Sequence, residues 1–430
     1  MDLTVKPLNQ WTACETAAAV ARGEITPEAV VRACLDRIAE RNDVIQAFVA
    51  FDPERALADA RQAAQLAHAP LRGVPFAAKD ILDSADYPTE YGSPIYRGHQ
   101  PQADAGCIAL ARHRGAVLLG KVATGEFATQ TPSRATNPLR TSHTPGGSSS
   151  GSAAAVADGM VPVAFGTQTT ASIVRPAVYC GVVGYKPSFG LIAPGGMKAL
   201  SPSQDTVGVI ARDVADAAFF TLGLHAARDV SSVAGLRPRI GLCLSRQWDY
   251  AQPATVAAID RAAARLEQAG AQVERFWLPP QFEALEALQL RIFAFEARQS
   301  LAQERLHHAD QLSPRLAARL NAEIGLDEYA LMLQEAARMR ARVKLLFDRY
   351  DVLLYPAAEG EAEAGYDSAG SPRYGAIWTL LHVPCISFPL DIGPGGLPVG
   401  AQLIGPYGQD TRLLAAARFA TQALDLPSAS

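Results

Sequence analysis

The sequence predicts one continuous α/β domain, a mixed and mostly parallel central β-sheet covered on both faces by α-helices. Two observations carry this reading. From residue 71 onward, short apolar runs bounded by glycine alternate with helical segments, the texture of buried strands between covering helices. No stretch reads as a linker long enough to separate two domains, and 430 residues, 49% hydrophobic and 19% charged, can form a large core.

Taken in order, residues 8–70 read as helices. "TACETAAAVARG" stops at Gly23, and "TPEAVVRACLDRIAERN" begins with Thr26 as N-cap and Pro27 in the first turn. "GVPFAAKD", "AVLLGK" and "MVPVAFGTQ" follow as strands, with helices over 104–114 and 148–158. Two more strands, 236–242 and 271–278, flank a helix over 253–269, and three helices fill 280–350. The chain ends in strands 351–356, 383–390 and 397–405, the last two joined by a "GPGG" hairpin turn at 393–396. The single domain, 1–430, divides into N-terminal helices (1–70), a core (71–230), a variable helical region (231–350) and C-terminal strands with a helix (351–430).

Composition narrows the function. A net charge of -4 points to no polyanion partner, so no nucleic acid is expected. The basic run "RMRARVK" at 338–344 reads as solvated helix surface. Six scattered cysteines, without a CxxC pair or metal spacing to histidine, read as reduced thiols, mostly buried; no metal site is expected. The N-terminal "MDLTVKPLNQW" lacks a signal peptide's pattern, and no run reaches the ~18 apolar residues of a spanning helix, so no membrane role and a cytoplasmic location are expected.

The stretch "TPGGSSSGSAAAVADG" (144–159) raises the question of chemistry. A flexible linker would not run straight into an apolar helix and a buried strand. A phosphate loop would need a lysine after the glycines, and none follows, although a backbone anion nest at the helix start stays open. Gly147 to Gly151 match GxSxG, centred on Ser149, but that elbow requires a strand just before it. Residues 132–146 instead hold three prolines and many polar groups. Elsewhere, Lys79 ends an apolar strand, where a buried lysine is costly unless paired or functional; the bland alternative is a surface lysine with a buried stem.

Several motifs occur together in order: "GVPFAAKD", "AGCIALARHRGAVLLGKVATGEFA", "HTPGGSSSGSAAAVADGMVPVAFGTQT", "SQDTVGVIARDVADAA", "YDVLLYPA" and "GLPVGAQLIG". This series resembles the amidase signature family, hydrolases with a Ser–cis-Ser–Lys triad. Within it, "PTEYGSPIYRGHQPQADA", "GTQT", "SIVRPAVYCG" and "SPRYGAIWTLLHVPCISFP" are most similar to the malonamidases. The resemblance implies Ser172 as nucleophile, Ser148 as bridging serine after a cis Gly147–Ser148 peptide, and Lys79 as general base. It implies an oxyanion hole of backbone N–H groups from Thr169, Thr170, Ala171 and Ser172. It also implies that Arg175 binds a substrate carboxylate, the alternative being a structural ion pair near the site, with Tyr91 and Gly147 beside the substrate, and that no cofactor is needed.

The physical logic agrees: a serine needs a positioned base, and burial lowers a lysine's pKa until it can serve as one. One departure stands out. Most members of the family it resembles have Gly-Gly before the nucleophile, where this chain has Thr170-Ala171. A side chain there costs energy if the position requires a positive φ, and the added Cβ atoms would narrow the acyl pocket. The expected function is hydrolysis of a small-molecule amide, carboxylate-bearing as in malonamate, to carboxylate and ammonia. Two alternatives stay open: an ammonia-generating subunit of a tRNA-dependent amidotransferase, and a catalytically silent binding protein. The expected partners are the small-molecule amide and a second copy of the chain, as a homodimer.

Overall fold

A computed structural model describes residues 6–66, 68–225 and 236–426. The first five residues, read above as part of a leaderless N-terminus, and the division drawn at 230/231 lie outside these ranges. The strands, in chain order, are β1 (Phe48–Phe51), β2 (Pro75–Lys79), β3 (Val117–Val122), β4 (Val163–Gln168), β5 (Val183–Lys186), β6 (Thr206–Ala211), β7 (Arg239–Leu244), β8 (Gln272–Trp277), β9 (Val352–Pro356), β10 (Cys385–Ile392) and β11 (Pro398–Ile404). They form one eleven-stranded sheet in the order β1-β3-β2-β4-β6-β5-β10-β11-β9-β7-β8. The single α/β domain with a mixed, helix-covered sheet is as the sequence predicts.

The sheet is not mostly parallel. Four pairings are parallel (β2–β3, β2–β4, β7–β8, β7–β9) and six are antiparallel. The parallel pairs form two blocks, β3-β2-β4 and β9-β7-β8, joined by an antiparallel centre. Strands β5 and β6, which the sequence did not announce, create that centre: β6 lies between β4 and β5 and runs against both. A long connection returns a strand in either direction, so alternation with helices does not fix polarity. The 393–396 turn is present, and it closes the β10–β11 hairpin through Gly396 N–H to the Gly393 carbonyl at 2.9 Å.

Local signals place most helices well. Thr12 and Glu15 form a capping box for Ala13–Arg22, which stops at Gly23 in the left-handed region. Thr26 caps Pro27–Ile45 as expected. Region 8–70 is not all helix, because β1 is inserted as an edge strand between the helices Pro27–Ile45 and Pro53–Ala63. Region 280–350 is broken more often than three helices require, into Pro280–Glu283, Leu285–Ser300, Ala302–His307, Pro314–Leu320 and Leu326–Arg349. In the last of these, Met339 and Val343 are buried while Arg338, Arg342 and Lys344 face solvent, as read from "RMRARVK". All six cysteines are free and five are buried. Among the described residues, no helix is long and apolar enough to cross a membrane.

The Ser/Gly stretch crosses the ends of β2 and β4 and enters the helix Ser150–Ala157, seven of whose eight residues are buried. Its glycines permit close approach. A Cβ on Gly151 would stand 2.2 Å from the Ala123 nitrogen and 2.6 Å from the Ala47 carbonyl oxygen. Gly151→Ala is therefore expected to destabilise the fold by about 2 kcal/mol, the usual cost of overpacking against backbone. It should lower the denaturant midpoint without changing the slope; an unchanged midpoint would show that the turn yields freely.

Candidate active site

β2 and β4 are parallel neighbours, with Phe76, Ala77 and Ala78 opposite Val163, Ala164 and Phe165. Their carboxyl ends therefore open at the same edge, where open α/β sheets place their sites. Lys79, the last residue of β2, is fully buried there. Its Nζ lies 2.7 Å from Ser148 Oγ, 2.8 Å from Thr167 Oγ1 and 3.4 Å from the Thr167 carbonyl oxygen. Burial holds the Lys79 amine well below the ordinary lysine value, and the Asp205 charge opposes this only in part. Asp205 makes no bond to Lys79: its oxygens accept from Thr169 Oγ1 and from the backbone N–H of Leu200 and Ser201. A neutral amine in this position can take a proton from a serine hydroxyl.

Ser148 is delivered by the 144–149 turn, and the Gly147–Ser148 peptide is cis. The neighbouring serines anchor that turn. Ser149 Oγ accepts from Thr167 N–H and donates to the Thr167 carbonyl, both at 3.2 Å. Ser152 Oγ donates to the Phe165 carbonyl at 2.9 Å, and Ser150 Oγ lies 2.6 Å from Ser133 Oγ. Ser149, the centre of the GxSxG match, is thus fully buried and doubly bonded to β4. No strand precedes it within 123–149, which removes the elbow reading.

Ser172 reaches the same place from the other side. It is half-buried, and its carbonyl accepts from Ser149 N–H at 3.4 Å. Among the described residues, nothing hydrogen-bonds the Ser172 hydroxyl, so the structure brings Lys79 and Ser148 into contact and leaves the Ser148–Ser172 link unmade. Such links often tighten only once substrate is bound.

The loop before Ser172 exposes its backbone donors. Gln168 Oε1 accepts from Ile173 N–H (2.9 Å) and Val174 N–H (3.1 Å), capping the short helix Val174–Tyr179. Among the described residues, no backbone acceptor meets the N–H groups of Thr169, Thr170, Ala171 and Ser172. Unpaired donors in a largely buried loop can serve a ligand oxygen. None of the four residues has a positive φ, so this loop carries no left-handed strain in place of the relatives' glycines.

Arg175 is 1% exposed, and its Nη2 donates to the Gly147 carbonyl. Its Nε and Nη1 are buried without a partner. Burial pulls its pKa down to about 10. A buried guanidinium with two unused donors and, among the described residues, no carboxylate in contact suits an incoming anion. Tyr91 is tied elsewhere: its hydroxyl donates to Asp83 Oδ1 at 2.8 Å, and burial and Asp83 push its pKa up. It borders the site indirectly, since the Gly92 backbone packs on Thr124 and Gly125, and Gly125 N–H donates to the Ser148 carbonyl at 3.1 Å. Sequence reasoning missed Thr167, Gln168 and Asp205; only the unusual "GTQT" hinted at Gln168. Among the described residues, no His/Cys/Asp/Glu group has the arrangement of a metal site.

A neutral Lys79 has a measurable signature. Unfolded, this lysine stays protonated up to about pH 10.4. Folded, it releases its proton at a lower pH. The unfolded chain therefore binds more protons in that window, so the parent gains stability as pH rises through it. Lys79→Met should lack this gain, so its denaturation midpoint relative to the parent should fall between neutral pH and pH 10. Parallel pH profiles would rule out a neutral buried lysine.

Comparison with known proteins places this geometry. A family model described as Amidase matches residues 29–414. The chain is 31% identical to a glutamyl-tRNA(Gln) amidotransferase subunit from Lachnospira eligens, over 95% of this chain and 97% of that one. It is 33% identical to the protein of the same name from Acidothermus cellulolyticus, over 94% and 92% of the two. The native peptide amidase of Stenotrophomonas maltophilia superposes with a TM-score of 0.82 at 28% identity, covering 96% of this chain and 97% of its own. Proteins alike over nearly their whole length are thus named as subunits of an amidotransferase. This corrects the expectation that a small-molecule amide and a second copy are the only partners, because a subunit's partner surfaces carry no signature in net charge. The chain belongs to the amidase family, and it is a hydrolase acting on amide C–N bonds.

Proposed function

We propose that the chain releases ammonia from a carboxylate-bearing amide through an acyl-enzyme on Ser172. The observation that carries the reading is the fully buried Lys79 amine bonded to Ser148, beside a loop of free N–H groups that ends in Ser172. On substrate binding the Ser172 hydroxyl turns to Ser148. Lys79 takes the Ser148 proton as Ser148 takes that of Ser172, and Ser172 Oγ bonds to the amide carbon. The oxyanion is held by N–H groups of residues 169–172. The proton returns through Ser148 to the nitrogen as the C–N bond breaks, and ammonia leaves. Water then attacks the acyl-enzyme by the same relay and frees the carboxylate. A base that must be neutral makes kcat/KM fall as pH drops through the depressed Lys79 value.

The curated relatives favour the second reading of the sequence for the setting, an ammonia-generating subunit of a tRNA-dependent amidotransferase. A freestanding hydrolase of malonamate-like substrates, the malonamidase resemblance, is supported by Arg175. That residue lies one helical turn after Ser172 with two unused donors. Both readings keep a carboxylate in the substrate and a cytoplasmic setting.

An ammonia-release screen over glutamine, malonamate, malonamide and neutral aliphatic amides, with and without co-purified partner chains and tRNA, separates them. Turnover of glutamine that rises with partners and tRNA supports the amidotransferase setting; turnover of malonamate by the isolated chain supports the hydrolase. Ser172→Ala is expected to lower turnover by at least ~10³-fold. Failure of a fluorophosphonate probe to label Ser172, together with no turnover, would leave the silent binding protein.

Arg175→Ala should raise KM for carboxylate-bearing amides roughly 100-fold more than for neutral ones, the scale of an unpaired buried charge. Because Arg175 also supports the Gly147 carbonyl, the ratio is the test: equal losses on both substrate types would refute the carboxylate role.

A further inference from the structure

The helix Leu285–Ser300 lies far in sequence from the motif-bearing segments, yet it sends one fully buried side chain to the loop before Ser172. Gln289 Nε2 lies 3.1 Å from the Thr169 carbonyl, 3.1 Å from Thr170 Oγ1 and 2.6 Å from Gln204 Oε1. Gln204 is itself held, donating through Nε2 to Ser201 Oγ at 3.1 Å. A second clamp grips the same loop: Thr379 Oγ1 donates to the Thr170 carbonyl at 2.8 Å and accepts from Gln168 Nε2 at 3.1 Å.

The loop's carbonyls at 169 and 170 are thus occupied while its N–H groups are free, and in trans peptides this turns the N–H groups of Thr170 and Ala171 away from Gln289 and Thr379. Thr170 is one of the two positions where the family resemblance implies glycine. Its hydroxyl gives Gln289 a partner that glycine could not offer. The substitution therefore removes backbone freedom and supplies a tether.

We propose that Gln289 is a positioning residue for the reaction: through Thr169 and Thr170 it holds the oxyanion-binding loop in register with Ser172. The inference rests on the reading of Ser172 as nucleophile and of the 169–172 N–H groups as oxyanion donors. A misplacement of about 1 Å in such a site costs up to ~100-fold in rate, so loosening one of two clamps is expected to cost about tenfold.

The test compares the parent with Gln289→Leu, Thr170→Val, their double variant and Thr170→Ser. The first readout is kcat and KM on an amide that the parent hydrolyses. The second is the NMR order parameters of residues 169–171. Gln289→Leu and Thr170→Val should each lower kcat about tenfold with KM within about twofold, a split that general loosening of the fold would not produce. The double variant should be no worse than the poorer single, because both remove one shared interaction. Thr170→Ser, which keeps the hydroxyl, should lose less than Thr170→Val. Order parameters should fall from a rigid ~0.85 to below ~0.7 in both single variants.

Unchanged order parameters would overturn the clamp whatever the turnover. Lower order with kcat unchanged, or additive losses in the double variant, would overturn its role in the reaction. If Gln289→Leu fails to fold, Thr170→Val, at a half-buried site, decides alone. If the parent neither turns over an amide nor labels at Ser172, the hydrolytic assignment of Ser172 fails, and the order parameters still decide whether Gln289 holds the loop.

Discussion

A primary amine sealed in the end of a β-sheet constrains everything near it. As an ammonium ion without a counter-charge, Lys79 would cost several kcal/mol to bury. As a neutral amine it needs only hydrogen-bond partners, which Thr167 and Ser148 supply. Two other fully buried lysines show the alternatives. Lys121 keeps a carboxylate, with Asp80 Oδ1 at 3.0 Å, and Lys186 donates to the Pro187 carbonyl at 2.8 Å. Of the three, Lys79 alone touches the Ser/Gly turn, and the nearest charge that could restore its proton, Asp205, has its oxygens committed to other donors.

That requirement explains the turn. Ser148 reaches Lys79 because its neighbours bind the backbone of β4: Ser149 takes both backbone polar groups of Thr167, and Ser152 takes the Phe165 carbonyl. The glycines allow the approach. Gly146 adopts a φ of 77°, where a side chain would be strained, and a Cβ there would stand 3.0 Å from Pro176. The same economy shapes the loop at 169–172. By capping residues 173 and 174 with its side chain, Gln168 satisfies the helix start and leaves the four preceding N–H groups unclaimed.

Much of this was legible in the sequence, and the rest was not, for identifiable reasons. Strands β2, β3, β4, β7 and β9 to β11 announce themselves as apolar runs bounded by turn residues, because each buries at least half of its residues, whereas β8 is an edge strand with no buried residue. β1 and β5 are only four residues long, too short for a periodicity to register, and strand direction depends on long connections that composition does not encode. The positions of Lys79, Ser148 and Ser172 were visible because their motifs occur in a fixed order. Their supports were not. Gln289 meets Thr169 across 120 residues and Thr379 meets Thr170 across 209, and no local pattern ties such pairs.

The replacement of Gly-Gly by Thr170-Ala171 takes on a different meaning in three dimensions. The sequence raises two costs, backbone strain and a narrowed acyl pocket. The first does not arise, since neither residue adopts a positive φ. The second divides between the two. Ala171 is 1% exposed and packs on the helix Arg373–Leu380, where position 375 is glycine; a Cβ there would stand 2.7 Å from the Ala171 methyl and 2.2 Å from the Thr170 carbonyl oxygen. The methyl is therefore absorbed by a missing side chain on the facing helix and takes no room from the substrate side. Thr170 is only half-buried, and its hydroxyl is bound to Gln289. The two adjacent side chains thus have separate physical roles, one packing against the helix Arg373–Leu380 at Gly375 and the other tying the loop to Gln289.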